Sequence, residues 1–222
     1  MGCCSSEDSE YDRQFDARHA ADQLRDYHRK GPRGLTGALI EALRAGGVDG
    51  QTVLDIGGGV GAVHHELLRS GAATAVDVDA SRAYVAAARE EAERQGHADR
   101  VRYLTGDFVA LADDVGPADL VALDRVICCY PDMAVLVGRS AALARRRYAL
   151  VFPRDSYLGR VGIAFLNVGL WLSRSSFRVY AHRSADVDAI VAANGLVKRL
   201  HRTTLIWQLA LFERPTDGRA AG

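Results

Sequence analysis

Short apolar runs alternate with amphipathic stretches along the middle of the chain. Five runs of five or six residues have the character of strands, and they are residues 52–56, 73–78, 101–105, 118–123 and 148–152. Between them, apolar residues recur at helical spacing, at about residues 60–70, 81–95 and 132–145. Strands separated by helices in this rhythm predict an α/β fold with a mostly parallel sheet and helices on both faces.

The two ends of the chain depart from this alternation. Residues 11–30 carry an amphipathic helical pattern that Gly31-Pro32 interrupts, and we expect residues 1–34 to form an N-terminal helical lid. Residues 156–182 form an apolar, aromatic, helical insertion before the last two strands. Its most apolar part, Val161 to Leu172, is expected to be a buried helix or a cover over the acceptor. The remaining predicted elements are helices at 36–44 and 185–194 and closing strands at 196–202 and 204–213.

Composition limits the functional classes. A chain of 222 residues suits one domain, here a core at residues 50–152 with its two appendages. Lys plus Arg (28) equals Asp plus Glu (28), and this balance argues against a nucleic-acid partner. A twelve-residue apolar window is too short for stable membrane insertion. With no secretory signal, we expect a cytoplasmic protein, either a monomer or a weak homodimer.

A glycine-dense turn follows the first strand. Residues 53–61 read Val-Leu-Asp-Ile-Gly-Gly-Gly-Val-Gly, which places Gly57, Gly59 and Gly61 at a strand–helix junction where a ligand can lie against the backbone. Asp55 precedes the turn. A carboxylate there would repel a bound pyrophosphate but attract a ligand that carries an ammonium and a sulfonium. The turn therefore favours S-adenosyl-L-methionine over NAD or FAD. A nucleotide-sugar or NAD-dependent enzyme remains an alternative.

Acidic residues occupy the ends of the following strands as well. Asp79 lies 24 positions after Asp55, directly before a helix, and is our preferred ligand of the ribose hydroxyls, with Asp77 as its rival. Asp107 ends the third strand, where it can accept a hydrogen bond from the adenine amino group while Phe108 stacks near the ring. Asp124 ends the fourth strand, at the edge of the sheet where ligands bind in open α/β folds.

These motifs resemble those of a known family. The segments VLDIGGGVG, VDVDAS, TGDF and ADLVALDR are similar to the successive motifs of class I S-adenosylmethionine-dependent methyltransferases, over about residues 50–152. The resemblance implies a Rossmann-like seven-stranded sheet whose last strand is antiparallel. It also implies that Gly57, Gly59 and Gly61 wrap the methionine moiety, while Asp79 holds the ribose and Asp107 the adenine.

A narrower resemblance extends to the second half of the chain. Residues 123–131, together with Arg178, Tyr180, His182 and residues 185–187, resemble the magnesium-protoporphyrin O-methyltransferase group, whose members methylate a propionate carboxylate. That group usually has Ile-His-Tyr-Pro where this chain has Cys128-Cys129-Tyr130-Pro131, so that Cys129 replaces the histidine. A tetrapyrrole acceptor is therefore the alternative, and another small-molecule acceptor is preferred.

Fewer residues support the prediction of a site for the methyl acceptor. We expect Tyr27, Arg125, Cys129 and Tyr130 to contact the acceptor, with Tyr157 and the helix at 161–172 as cover. Direct in-line methyl transfer needs no particular catalytic residue, because the sulfonium already activates the methyl group and positioning supplies much of the rate. A non-catalytic adenosyl-binding module would keep the cofactor site and lack an acceptor pocket.

Three further groups are expected to be structural. The pairs Cys3-Cys4 and Cys128-Cys129 are poor zinc chelators, so we expect no metal, and Cys128-Cys129 should line or floor the pocket. His64-His65 should face solvent or lie beside the helix cap. The run Arg145-Arg146-Arg147 should be a solvated helix end.

Overall fold

The computed structural model describes Asp12, residues 14–172 and residues 177–215. Two helices, α1 (Ala17–Lys30) and α2 (Gly34–Arg44), precede the sheet. The elements that follow are β1 (Thr52–Ile56), α3 (Ala62–Arg69), β2 (Thr74–Asp79), α4 (Arg82–Gln95), β3 (Val101–Thr105), α5 (Phe108–Leu111), β4 (Ala118–Asp124), α6 (Met133–Ala142), β5 (Ala144–Pro153), α7 (Tyr157–Leu172), α8 (Ser184–Ala193), β6 (Val197–Thr203) and β7 (Trp207–Glu213).

The strands form one sheet in the order β3-β2-β1-β4-β5-β7-β6. Strands β1 to β5 run parallel, whereas β7 pairs antiparallel with both β5 and β6. The predicted seven-stranded, mostly parallel sheet with an antiparallel last strand is confirmed. The connection after β1 leads to β2 on one side of β1, whereas the connection after β3 leads to β4 on the other side. A crevice therefore opens between the carboxyl ends of β1 and β4, where α/β folds bind their ligands.

Helices cover both faces of the sheet, as predicted. Successive side chains of a strand point to opposite faces. On one face Leu54 and Leu123 join a core with α5, α6 and α8, and on the other Val53 and Leu120 pack with α2 and α3. Both faces of the central strands are therefore buried, which explains why these strands have continuous apolar sequences.

The arginine run differs from its prediction. Helix α6 ends at Ala142, so Arg145, Arg146 and Arg147 lie on β5 and not at a helix end. The side chain of Arg147 is 4% exposed, and its guanidinium donates hydrogen bonds to the backbone carbonyl oxygens of Leu43 and Gly47. The predicted solvated position is therefore wrong for Arg147, because this cation satisfies the carbonyl groups at the end of α2.

Helix α7 also differs from its prediction. Phe165 is 74% exposed and Trp171 is 64% exposed, so the expected burial is wrong. The helix is held from its other side, where Asn167 donates to the Val179 carbonyl (2.8 Å) and accepts from the Val179 amide (2.9 Å). None of the helices in the described residues combines the length and the apolar character needed to cross a membrane.

Candidate cofactor and acceptor site

A cavity of about 900 Å³ opens at the carboxyl ends of β1, β2, β3 and β4. Ten of the twelve residues predicted for the site line it, and they are Asp55, Gly57, Gly59, Asp79, Asp107, Phe108, Asp124, Arg125, Cys129 and Tyr130. Gly61 and Tyr27 lie outside its lining. The cofactor motifs and the predicted acceptor loop therefore share one space, although they are far apart in sequence.

The glycine turn has the backbone that only glycine adopts without strain. Gly57, Gly59 and Gly61 all have positive φ angles, of 63°, 59° and 82°. A Cβ atom on Gly57 would lie 2.6 Å from a methyl group of Val126, which belongs to the loop after β4. A Cβ atom on Gly58 would lie 2.3 Å from Oδ1 of Asp77. The turn is thus packed tightly against its neighbours and leaves its backbone facing the cavity.

Gly61 has a different role from the other two glycines. It is the residue before α3, and a Cβ atom there would lie about 2.5 Å from the rings of His64 and His65. Both histidines are fully buried beside the start of the helix. The expected position near the cap is confirmed, and the solvent-facing alternative is wrong because the rings fill the space that Gly61 leaves open.

Asp55 is buried under the turn. Its Oδ2 accepts hydrogen bonds from the backbone amide of His64 (3.2 Å) and from Nδ1 of the same residue (2.9 Å). Its Oδ1 has no hydrogen-bond partner among the described residues. The ring of the neighbouring His65 is hydrogen-bonded to that of His97, with 2.9 Å between Nδ1 of His65 and Nε2 of His97. Burial lowers the pKa of His65 to about 2, so its ring is neutral. The carboxylate of Asp55, which lines the cavity, therefore has one buried oxygen without a hydrogen-bond partner among the described residues.

Asp79 and Asp77 occupy different environments at the end of β2. Asp79 lines the cavity and accepts hydrogen bonds from the backbone amides of Gly59 (2.9 Å) and Ser81 (2.8 Å). Asp77 lies outside the cavity lining, pairs in register with Asp55 and is fully buried. Burial raises the pKa of Asp79 to about 6 and raises that of Asp77 well above its usual range. This geometry supports the preference for Asp79 as the ribose ligand.

Asp107 joins the third strand to the acceptor loop. Its Oδ1 accepts from the backbone amide of Val109 (2.9 Å) and so caps α5, as an aspartate at this position commonly does. Its Oδ2 accepts from the hydroxyl of Tyr130 at 3.0 Å. Phe108 is nearly buried behind it. The residue predicted to contact the adenine, Asp107, and a residue predicted to contact the acceptor, Tyr130, are therefore hydrogen-bonded neighbours.

Asp124 and Arg125 form a second polar group at the end of β4. Asp124 accepts from the Thr36 hydroxyl at 2.5 Å, and Arg125 donates to Thr36 at 3.0 Å. Among the described residues other than glycine, only Arg125 has a positive φ, of 63°. Its guanidinium lies over the ring of Trp207, 5.4 Å from the centroid. A strained backbone of this kind commonly marks a functional position, and here it turns a cation toward the cavity mouth.

The two halves of the narrower resemblance pack together. The Tyr180 amide donates to the Cys128 carbonyl (2.7 Å), and Nε2 of His182 lies 2.8 Å from the Ile127 carbonyl and 3.2 Å from that of Tyr130. Because a carbonyl only accepts, Nε2 of His182 carries the proton. Burial lowers the pKa of His182, which keeps the ring neutral. This histidine therefore positions the acceptor loop.

Several lining residues were missed by the sequence analysis. Phe15, Gln23, Thr36, Phe177 and Arg178 all line the cavity. The ring of Phe15 packs against Tyr84 (5.8 Å) and Phe177 (5.7 Å), so it joins the N-terminal region to the segment after α7. The amphipathic pattern of residues 11–30 identified Phe15 as a packing residue but gave no indication of which surface it covers.

Tyr27 was expected at the acceptor and is found elsewhere. Its hydroxyl donates to Glu66 (3.1 Å) and accepts from Gln95 (3.3 Å), because α1 packs its buried side against α4. We therefore leave Tyr27 out of the site. Cys3-Cys4 and the side chain of Tyr157 lie outside the described residues.

The cavity meets the requirements of S-adenosylmethionine on the chain's own atoms. Oδ1 of Asp55 and Oδ1 of Asp124 are buried carboxylate oxygens without a partner among the described residues, and both aspartates line the cavity. Buried carboxylates are costly unless a cation or a donor meets them. The ligand carries cationic centres for these oxygens, ribose hydroxyls for Asp79, and a shape that the glycine turn can admit.

The sheet order, the glycine turn at its switch point and the acids at successive strand ends define the class I S-adenosylmethionine-dependent methyltransferase fold. The sequence comparison agrees, because residues 53–146 match the family model described as "Methyltransferase domain". These residues form a methyltransferase domain of the kind that uses S-adenosylmethionine, and the resemblance predicted from the motifs is confirmed.

Solved structures of methyltransferases share this fold. Magnesium protoporphyrin IX methyltransferase from Synechocystis PCC 6803, with bound S-adenosylhomocysteine, superposes with a TM-score of 0.65 at 22% identity, covering 97% of this chain and 90% of that one. A methyltransferase in complex with the Haloferax volcanii Trm112 activator gives a TM-score of 0.67 at 17% identity, covering 97% and 100%. These likenesses concern the fold.

Curated relatives match part of the chain. The ribosomal protein L11 methyltransferase of Edwardsiella ictaluri is 37% identical over 102 residues, or 43% of this chain and 35% of the relative. The same enzyme of Salmonella arizonae is 35% identical over 121 residues, or 49% and 41%. The chain thus spans less than half the length of these relatives.

Proposed function

We propose that this protein transfers the methyl group of S-adenosylmethionine to a small-molecule acceptor by direct in-line displacement. The observation that supports this most strongly is the shared cavity, in which the glycine turn and the strand-end carboxylates face the loop from Arg125 to Tyr130. Its volume of about 900 Å³ lies near the upper end of the range for small-molecule pockets. It is therefore large enough for a donor and an acceptor held in contact.

The cofactor side of the proposal assigns roles to the strand ends. When bound, S-adenosylmethionine supplies a methyl group that its sulfonium has activated. Asp79 would hold the ribose hydroxyls and Asp107 would accept from the adenine, while the backbone of Gly57 and Gly59 would lie along the methionine moiety. The unpartnered oxygens of Asp55 and Asp124 would meet the cationic end of the ligand.

Two arginines lie on the acceptor side of the cavity, and one of them, Arg125, is paired with Asp124 at 3.2 Å. Arg125 and Arg178 both line the cavity, together with Cys129 and Tyr130. Two guanidinium groups favour an acceptor that carries a carboxylate or another anionic oxygen. His182 already donates from Nε2 to backbone carbonyls, so it is unavailable as a base at that atom. We therefore propose that the rate of methyl transfer depends on how the cavity aligns the donor with the acceptor.

Two other acceptors have specific support. A tetrapyrrole carboxylate is favoured by the packing of Tyr180 and His182 on the loop from Ile127 to Tyr130, although Cys129 stands where that group has histidine. A protein acceptor is favoured by the partial relatives that methylate ribosomal protein L11. A non-catalytic adenosyl-binding module would need neither Arg125 nor Arg178. We further propose a cytoplasmic protein that is a monomer or a weak homodimer.

Methyl-labelled S-adenosylmethionine tests the proposal when it is offered with carboxylates, phenols, thiols, a magnesium porphyrin and ribosomal protein L11. We expect label in a small acid, with Arg178→Gln raising the acceptor KM about tenfold or more and leaving the affinity for the cofactor unchanged. The matched control is Arg145→Gln, an exposed arginine at the start of β5. Label found only in ribosomal protein L11 would favour a protein acceptor. Binding without any transfer would favour the non-catalytic module.

A further inference from the structure

Two buried carboxyl groups lie side by side beneath the glycine turn. Asp55 on β1 pairs in register with Asp77 on β2, and both side chains point to the same face of the sheet. Asp55 is 1% exposed and Asp77 is fully buried. One oxygen of each aspartate and one ring nitrogen of His64 all lie within 4.8 Å of one another. The three side chains therefore form one buried polar cluster.

The hydrogen bonds in this cluster are unevenly distributed. Oδ2 of Asp55 accepts from the backbone amide and from Nδ1 of His64, whereas Oδ1 of Asp55 has no partner among the described residues. Neither oxygen of Asp77 has a hydrogen-bond partner there. Buried polar atoms in native proteins are nearly always paired. Three unpartnered oxygens on two neighbouring carboxyl groups therefore indicate that the pair holds a proton.

No cation in the described part of the chain forms an ion pair with Asp77. The titratable and charged groups around it are Asp55, Asp79, His64, His65 and Tyr103, with Arg89 and Glu91 of α4 beyond Tyr103. Arg89 is exposed, and its guanidinium lies over the Tyr103 ring, 5.2 Å from the centroid. The Tyr103 hydroxyl donates to the Ala88 carbonyl at 2.9 Å. Neither residue therefore compensates a charge on Asp77.

The histidine beside the pair is neutral. Nδ1 of His64 carries a proton, because the carboxylate oxygen that it meets only accepts. A charged ring would carry a second N–H at Nε2, and this buried atom has no partner among the described residues. If Asp55 and Asp77 were both ionised, they would form a buried charge of −2 without a counterion, which is costly.

Hydrogen bonding places the proton on Asp77. Each oxygen of Asp79 accepts from a backbone amide, and Asp55 accepts two bonds from His64. Such bonds favour the charged form of a carboxyl group. Burial and the carboxylates of Asp55 and Asp79 raise the pKa of Asp77 well above its usual range, against a smaller opposing effect of the Gly58 amide. The neutral member of the pair is therefore Asp77.

The pair supports the wall of the cofactor cavity. Gly58 and Asp55 both line the cavity, whereas Asp77 lies behind them. A Cβ atom on Gly58 would overlap an oxygen of Asp77 and lie 3.0 Å from Oδ2 of Asp55. Because a carboxylate oxygen can accept two hydrogen bonds, Oδ1 of Asp55 can accept from Asp77 and still meet a ligand. Asp77 would therefore act on the ligand only through Asp55.

We propose that Asp77 is a positioning residue of the cofactor site, a neutral carboxylic acid that donates its proton to Oδ1 of Asp55. The last torsion of an aspartate side chain turns over a broad range, which lets the hydroxyl of Asp77 point to Asp55. The bond would fix the Asp55 carboxylate and leave the pair with one negative charge for the cationic end of the cofactor. That effect rests on the proposed function, whereas the proton on Asp77 does not.

Carbon-13 NMR of the full chain, labelled at the side-chain carboxyl carbon of aspartate, tests the proton directly. We expect one resonance to keep the chemical shift of a protonated acid at pH 7, where ordinary aspartates are ionised, and to be absent from Asp77→Asn. In Asp55→Asn this resonance should titrate at lower pH, because the neighbouring negative charge is lost. An Asp77 that is ionised at pH 7, or whose titration is the same in Asp55→Asn, would overturn the proposal.

Calorimetric titration with S-adenosylhomocysteine tests the positioning. Asp77→Asn keeps the shape, the neutral charge and a donor, so it should bind like the wild type. Asp77→Leu is also neutral but has no donor, and it should bind at least about tenfold more weakly. The matched control is Asp99→Leu, at an exposed aspartate just before β3, which should bind like the wild type. Weaker binding by Asp77→Asn, or wild-type binding by a folded Asp77→Leu, would overturn the proposal.

Two outcomes separate the role of Asp77 from the proposed function. A wild type that binds neither S-adenosylmethionine nor S-adenosylhomocysteine, with the protonated resonance present, would contradict the proposed function and leave the proton on Asp77. Normal binding beside an ionised Asp77 would contradict the role of Asp77 alone. A stoichiometric metal ion in the purified protein that Asp77→Asn loses would replace the proton and also overturn that role.

Discussion

The contact between Gly57 and Val126 offers a sharp test of how the cofactor turn and the acceptor loop depend on each other. Gly57 has φ +63°, and a Cβ atom there would lie 2.6 Å and 3.2 Å from the two methyl groups of Val126. The substitution Gly57→Ala therefore introduces both a strained backbone and a steric overlap. Removing the valine methyl groups relieves only the overlap, so the two contributions can be separated.

The magnitudes follow from these two contributions. An L-residue in the left-handed region costs about 1–2 kcal/mol, and inserting a methyl group into a filled space costs about 1–3 kcal/mol. We expect Gly57→Ala to lower the free energy of unfolding by about 2–5 kcal/mol. In the Val126→Ala background its cost should fall to the backbone share, which leaves a coupling energy of about 1–3 kcal/mol.

Equilibrium unfolding in urea of the two single variants and the double variant measures this coupling. Gly96→Ala is the matched control, because Gly96 also has a positive φ (74°) and nothing lies within 4 Å of the position a Cβ would take. It should cost about 1–2 kcal/mol with or without Val126→Ala. A Gly57→Ala cost equal to that of Gly96→Ala, with no coupling to Val126, would refute the tight packing of the turn on the acceptor loop.

Three further predictions concern buried polar groups. Burial raises the pKa of Asp79 in the folded protein from 3.8 to about 6, so between these pH values the folded protein holds a proton that the unfolded chain has lost. The free energy of unfolding should therefore fall by about 3 kcal/mol as pH rises through this window. Asp79→Asn should remove this fall in urea unfolding at pH 3.5 to 7.5, and an unchanged pH dependence would contradict the prediction. Tyr148→Phe removes the 2.8 Å hydrogen bond to Ser140, and calorimetric melting should show a cost of about 1–2 kcal/mol that shrinks in the Ser140→Ala background; a cost that is the same in both backgrounds would disprove the bond. Arg147→Met should cost about 3 kcal/mol or more in the same assay, because backbone carbonyls lose their donors, and a cost below about 1 kcal/mol would mean that water replaces the guanidinium.

Much of the fold was predictable from local patterns. Apolar runs of strand length between helical stretches predict a parallel sheet, and in the strand order of the structure the ends of β1 and β4 are neighbours. An acid at the end of each of these strands therefore meets the others at one edge. The pairing of Asp55 with Asp77 and the contact of Asp79 with the glycine turn depend on register, which the pattern of alternating residues already limits.

The remaining features depend on packing between segments that are distant in sequence. Helix α7 is apolar at nearly every position, so its sequence does not indicate which side is covered, and the structure shows Trp171 exposed. The sequence alone indicates a surface position for Arg147. In the structure its guanidinium instead donates to a backbone carbonyl near the end of α2, a contact that no local pattern predicts. Tyr27 and Phe15 lie in the same amphipathic region, and only the docking of α1 on α4 sends the first to Glu66 and leaves the second at the cavity.

Calorimetric titration with S-adenosylmethionine and S-adenosylhomocysteine tests the central claim most directly. We predict micromolar binding of both ligands to the wild type, about −8 kcal/mol, weakened at least about tenfold by Asp79→Asn, which loses the charged acceptor of the ribose hydroxyls. Glu93→Gln, an exposed carboxylate on α4, should bind like the wild type. A wild-type protein that binds neither ligand would contradict the assignment of this cavity to the methyl donor.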